Sequence, residues 1–225
     1  MREYKRFQHK YYGDNKYQRK TKDKHGREVV KPIDVKDYEE MVRLCLVHRD
    51  QAKTDKEYYR WYRNYVILTV GVNTGNRITT IIEQIPRDYA GGKYTVTEHK
   101  TRKRQQYTLN PDVYSIVKKY IDEFDIGMNQ FMFMSKFGSR QAITREGVWK
   151  MITKLAKEAN IEYPVGCHSL RKSYGRWKWD ETHDLLLVQS LLMHDSAEET
   201  MRYICLEANE IDEARTQIAY IPRYE

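Results

Sequence analysis

The chain has 225 residues, 40% of them hydrophobic and 32% charged, with a formal net charge of +8; that length is enough to bury one substantial core under a highly charged surface. The longest apolar runs, near Tyr65–Val72 and Leu185–Met193, are too short to cross a bilayer, and no basic start followed by an apolar segment marks a signal peptide, so neither a membrane-spanning nor a secreted protein is expected and the expected place is the cytoplasm. A pI of about 9.2 points to a polyanionic partner.

The positive charge is concentrated at the start. Residues 1–31 hold eleven Lys or Arg against four acids, a net of +7, interleaved with Tyr4, Phe7, Tyr11, Tyr12 and Tyr17. That mixture suits an arm that neutralises phosphates and stacks on exposed faces, and residues 1–33 are read as such an arm, or as the remnant of a DNA-binding region, ahead of a domain over residues 34–225.

From Pro32 helical signals begin. Asp34 can cap a helix carrying Tyr38, Met41, Val42 and Cys45 on one side, and Thr54 or Asp55 a longer one with Tyr58, Tyr62, Tyr65, Thr69 and Val72 at helical spacing. Gly75 and Asn76 tolerate the left-handed geometry of a helix end, so Arg77 is expected just beyond a terminus. A short apolar turn, Ile78–Ile85, breaks at Pro86. Residues 93–109, KYTVTEHKTRKRQQYTL, alternate around a basic tip of Lys100, Arg102, Lys103 and Arg104 and read as a two- or three-stranded hairpin unit.

Asn110 and Pro111 form a cap and first-turn pair for a helix with Val113, Ile116, Val117, Tyr120 and Ile121 on its face. After the apolar run FMFM, Thr144 can cap a helix with Val148, Met151, Ile152 and Leu155 inward. A helix from His168 carries Leu170, Tyr174 and Trp177, Asp184 opens another with Leu185, Val188, Leu191 and Leu192, and Ser196 with Glu199 is a capping-box pair placing Tyr203 on a short helix. A final amphipathic helix is expected over Asn209–Ala219. The fold class predicted is mixed α/β, mainly helical, with a small antiparallel sheet.

His168 and Arg171 stand one helical turn apart, His194 follows a long apolar run, and Tyr203 lies nine residues later. If these side chains converge, the rings and guanidinium can donate to phosphate oxygens and the phenol can attack phosphorus. The scattered Cys45, Cys167 and Cys205 argue against a disulfide framework. A zinc set of Cys167, His168, His194 and Cys205 lacks metal-ligand spacing, so no metal is expected.

The segments TGNRI (74–78), TEHKTRKR (97–104), HSLRKS (168–173), LLMHDS (191–196) and ETMRYI (199–204) occur in the order and spacing of the tyrosine recombinase, or phage integrase, catalytic domain, and the chain resembles that family over roughly Asp34–Tyr220. The resemblance implies that Arg77 and Arg171 clamp the phosphate, that Lys100 is the hairpin lysine, that His168 belongs to the HxxR motif, that His194 occupies the second-histidine position and that Tyr203 is the nucleophile. It implies cleavage and rejoining of double-stranded DNA through a 3′-phosphotyrosine, by an oligomer assembled as a tetramer on DNA, in a prokaryotic, phage or mobile-element setting. Arg102, Lys103, Arg104 and Lys172 are expected DNA contacts, and Lys103 is the rival of Lys100 because hairpin register is not fixed by sequence.

Residue chemistry agrees with these roles. Arginine forks stay charged and suit the non-bridging oxygens of a pentavalent phosphoryl transition state; His168 is suited to take the phenolic proton, and Lys100 to protonate the leaving 5′-oxygen. The cationic side chains neutralise the phosphate and the ester conserves its energy, so no cofactor is expected.

Three departures from the family pattern stand out. Thr80 replaces an acid, Met193 replaces a glycine, and only about 34 residues precede the domain where relatives carry a helical clamp. The other readings are a topoisomerase IB-like relaxing enzyme and a poorly cleaving DNA-binding regulator.

Overall fold

The computed structural model describes residues 29–97 and 104–204, leaving out the side chains of Gln105 and Arg202. The basic arm up to residue 28, the hairpin tip at 98–103 and the expected helix over Asn209–Ala219 lie outside the described residues.

Eight α-helices, a 3-10 helix (Pro86–Gly92) and one two-stranded sheet are described: α1 (Val35–Asp50), α2 (Asp55–Thr74), α3 (Ile78–Ile82), β1 (Lys93–Thr97), β2 (Arg104–Thr108), α4 (Pro111–Glu123), α5 (Arg145–Glu158), α6 (Cys167–Thr182), α7 (Leu185–Leu192) and α8 (Ala197–Tyr203). Helix starts follow local chemistry. The side chains of Asp34, Thr54, Asn110, Thr144, Asp184 and Ser196 each accept a hydrogen bond from a backbone N–H of the following first turn, satisfying donors that a helix start leaves unpaired.

Helix α2 is the axis of the fold. Most of its last three turns is buried, and it packs against α1, α4 and α6. It approaches α6 closely because Gly71 has no side chain: a Cβ there would sit 2.6 Å from Leu170 Cδ1. Gly75 ends the helix in the left-handed region, φ +63°, where only glycine is free of strain.

The hairpin pairs Lys93 with Thr108 through Thr97 with Arg104 in antiparallel register, so two strands, not three, are present among the described residues. Tyr94 and Val96 alternate inward and are buried. The hairpin root is held by buried polar contacts: the Tyr94 hydroxyl accepts from Asn76 Nδ2 at 2.8 Å and from Gln84 Nε2, while the Tyr89 hydroxyl donates to Gln84 Oε1. Asn76 adjoins Arg77, which ties the hairpin to the turn that carries the first arginine.

The FMFM run contributes buried Met132, Phe133 and Met134. Buried Arg63 fixes this stretch by donating from Nη1 to the carbonyls of Met134 (2.7 Å) and Ser135 (2.8 Å). A second, smaller apolar cluster of Val188, Leu192 and Ile204 packs with Tyr174, Trp179, Leu185 and Tyr203, docking α7 and α8 onto α6.

The lead-in to α1 already belongs to this body. Ile33 is 1% exposed, its N–H donates to Ser173 Oγ at 2.8 Å, and Lys31 N–H donates to Pro164 O at 2.9 Å. No helix among the described residues is long and apolar enough to span a membrane.

Candidate active site

Three structural joints bring the separated motifs together. Arg77 stands at the N-cap of α3 in extended conformation, immediately after the left-handed Gly75 and buried Asn76. His168 and Arg171 stand one turn apart at the start of α6, which is closed by Ser169 Oγ accepting from Gly166 N–H at 3.0 Å. His194 follows the end of α7, and Tyr203 is the last residue of α8.

Arg171 is 3% exposed and clips two of these joints at once. Its Nη1 donates to Gly75 O at 2.7 Å and its Nη2 to Leu192 O. Both carbonyls belong to helix C-terminal ends, where unpaired acceptors and the negative pole of the helix favour a cation. One guanidinium therefore fixes the end of α2 beside Arg77 and the end of α7 beside His194. Its planar fork also reaches Tyr203, with Cζ 5.8 Å from the centre of that ring.

His194 is buried and meets the Tyr203 ring edge-on, centroids 4.9 Å apart at 75°. Its Nδ1 lies 3.1 Å from Thr200 Oγ1, and the Thr200 hydroxyl donates to Ser196 O at 3.1 Å. With the hydroxyl hydrogen committed to Ser196, the Thr200 oxygen accepts from His194 Nδ1–H, which in the neutral ring leaves Nε2 as an acceptor. Thr200 was missed by sequence reasoning. The sequence carries only a threonine three residues before Tyr203 and four before Ile204, one helical turn away; its burial is seen in the structure.

Charge at the site follows from this crowding. Burial raises the Tyr203 phenol above its ordinary value, opposed by the positive charge of Arg171 and Arg77 and by a hydrogen bond from Arg171. Burial lowers His194, and Arg171 and Arg77 lower it further against Glu199 and Asp195. His168 is solvent-exposed on its outer side, yet the protein packed around its inner side, followed by the charges of Arg145, Lys172, Arg171 and Arg77, holds its pKa below the ordinary value. Arg77 and Arg171 thus act on both histidines, and on the phenol, from within one cluster.

Lys100, Arg102 and Lys103 lie outside the described residues, while Arg104 is exposed at the base of the hairpin. Lys172, expected at the DNA surface, is 8% exposed and its Nζ donates to Val30 O at 2.8 Å. With Ser196, Glu199 and Tyr203 it lines a depression of about 420 Å³. Of the set weighed for zinc, Cys205 is outside the described residues, and no group of three His, Cys, Asp or Glu side chains converges among those described.

The fold is that of the tyrosine recombinase catalytic domain. It matches the XerA recombinase crystal structure with TM-score 0.65 at 21% identity, over 86% of this chain and 66% of that one. It also matches XerH site-specific recombinase bound to palindromic difH substrate in a post-cleavage complex, with TM-score 0.65 at 21% identity over 87% of this chain and 55% of that one. The phage integrase family matches residues 31–210, and the chain belongs to that family. Among relatives, the "Probable integrase/recombinase YoeC" of Bacillus subtilis (strain 168) is 29% identical over 70% of this chain and 83% of its own length. Tyrosine recombinase XerD of Listeria monocytogenes serotype 4b (strain F2365) is 28% identical over 63% of this chain, which covers 49% of XerD.

Proposed function

We propose that this chain is the catalytic domain of a site-specific DNA recombinase or integrase that cuts and rejoins strands through a 3′-phosphotyrosine. The observation that carries the reading is the single cluster of Arg77, Arg171, His194 and Tyr203, with Arg171 within reach of the phenol and anchored to both neighbouring helix ends. Such a cluster offers fixed positive charge where a phosphodiester gains negative charge.

In the proposed reaction, Tyr203 Oη attacks phosphorus, forming the O–P bond as the bond to the 5′-oxygen breaks. The bonding pair leaves with that oxygen, and Lys100 protonates it. His168, whose neutral form is favoured by burial and the neighbouring cations, takes the phenolic proton. Arg77 and Arg171 clamp the non-bridging oxygens. His194 donates to one of them from Nε2 after gaining the second ring proton, which the phosphate charge favours, because Nδ1–H is committed to Thr200. Attack by the 5′-hydroxyl of a second strand on the phosphotyrosine reverses these steps and completes exchange. Assembly of several protomers on one double-stranded DNA target belongs to the same reading.

A nicked suicide substrate tests it. In EDTA the protein is expected to form a denaturation-resistant adduct with the DNA, and Tyr203→Phe to form none. An adduct that survives Tyr203→Phe, or wild-type protein that binds DNA without any adduct, overturns the assignment.

A further inference from the structure

Lys172 is a buried cation whose only part in the proposed chemistry is its share, with Arg145, Arg171 and Arg77, in lowering the His168 pKa. It follows Arg171 on α6, and it makes two contacts that join separate parts of the chain. Its Nζ donates to the carbonyl of Val30 at 2.8 Å, in the segment leading into α1. The same Nζ stands 5.6 Å from the centre of the Tyr203 ring, within the range at which an ammonium is attracted by an aromatic face. The group is 8% exposed, so this attraction acts in a partly desolvated setting where it is strongest.

The lead-in segment is itself secured to α6. Ser173, the next residue, accepts from Ile33 N–H at 2.8 Å, and Lys31 N–H donates to Pro164 O at 2.9 Å. The Val30 carbonyl therefore lies on a fixed track, and the ammonium it holds is fixed with it. The phenol ring also meets the His194 ring edge-on. Tyr203 is the last residue of a seven-residue helix, and so short a helix does not by itself define a side-chain position to the accuracy that in-line attack requires.

We propose, building on the assignment of Tyr203 as nucleophile, that Lys172 is a positioning residue that orients the Tyr203 ring and couples it to the lead-in segment at Val30. Its role is to hold the attacking phenol rather than to bind DNA phosphates.

The experiment compares Lys172→Met, which keeps the stem and loses the cation, Lys172→Gln, which keeps a hydrogen-bond donor for Val30, and Lys172→Arg, which keeps both the cation and a donor. Three quantities are read on the full chain: affinity for target DNA, the rate of covalent adduct on a nicked substrate, and the NMR signal of the Tyr203 ring in ¹³C-tyrosine-labelled protein, assigned by its loss in Tyr203→Phe. Lys172→Met is expected to slow adduct formation roughly 5- to 10-fold with DNA affinity within about twofold, and to shift or broaden the Tyr203 signal. Lys172→Arg is expected to restore both, and Lys172→Gln to restore neither. A Tyr203 signal unmoved by Lys172→Met overturns the proposal. So does a loss of affinity matching the loss of rate, which would make Lys172 a DNA contact. If the wild type forms no adduct the nucleophile assignment fails, while the ring signal still decides whether Lys172 orients Tyr203. Should Lys172→Met not fold, Lys172→Gln against Lys172→Arg carries the same comparison.

Discussion

Replacing Gly75 by alanine tests the joint on which the site depends. Gly75 has φ +63° and ψ 12°, and a Cβ added there would lie 2.3 Å from Tyr174 Cδ1 and 2.8 Å from Cε1. The left-handed backbone is expected to penalise alanine by about 1–2 kcal/mol, and forcing the Tyr174 ring aside by about 1–3 kcal/mol. Reduced freedom of the unfolded chain returns about 0.4–1 kcal/mol. The net loss is about 3 kcal/mol, which for a body of this size lowers the melting temperature by roughly 6–12 °C. Because the Gly75 carbonyl accepts from Arg171 Nη1, the displacement passes directly to the guanidinium, and adduct formation should fall even at temperatures where the variant is folded. Urea and thermal unfolding, followed by circular dichroism, measure the stability term. Repeating them on Tyr174→Leu and the double variant isolates the clash as a coupling of about 1–3 kcal/mol. A Gly75→Ala protein within about 0.5 kcal/mol of wild type, a difference typical of neutral surface changes, or strict additivity with Tyr174→Leu, would refute this account of the joint.

Further outcomes are expected at neighbouring positions. Met193 ends α7 with φ +53°, so Met193→Gly should relieve left-handed strain and leave stability equal or up to about 1 kcal/mol higher; thermal melts check this, and a clear loss would mean that the methionine side chain matters more than the backbone. Thr200→Val removes the acceptor for His194 Nδ1–H, and a drop in adduct rate with DNA affinity preserved, measured on the nicked substrate, is the expected result. Protonation should also register in stability. His168 and His194 have folded pKa values below the ordinary one, so as pH falls through about 6.5 the unfolded chain takes up protons that the folded chain resists, and stability declines until the lower folded pKa is reached. Melting temperatures between pH 7 and 5 should therefore fall less steeply in His168→Gln than in the wild type.

What the sequence disclosed was mostly local. Asp34, Thr54, Asn110, Thr144, Asp184 and Ser196 were readable as caps because a short polar side chain before an apolar period satisfies its own first turn, and Gly75 was readable as a stop because of the conformation a helix end demands. The motif order brought Arg77, Arg171, His194 and Tyr203 to one site, and the structure shows how. The links themselves were not legible: a guanidinium bound to the carbonyls of Gly75 and Leu192, 96 and 21 residues away, leaves no periodic trace, since any residue supplies a carbonyl. Lys172 looked like a surface charge because one basic residue among many resembles any other, and only the path of Val30 across α6 reveals it as buried. Met193 drew notice as a departure from the family's glycine; its positive φ supplies the physical reason that glycine suits the position.

The central claim is that Tyr203 carries the covalent link to DNA, and the most direct measurement is peptide mapping by mass spectrometry after trapping the protein on a nicked substrate and digesting the DNA. A residual nucleotide, joined through its 3′-phosphate, is expected on the peptide that contains Tyr203 and on that residue. A nucleotide on another side chain, or a 5′-linked phosphate on Tyr203, would contradict it.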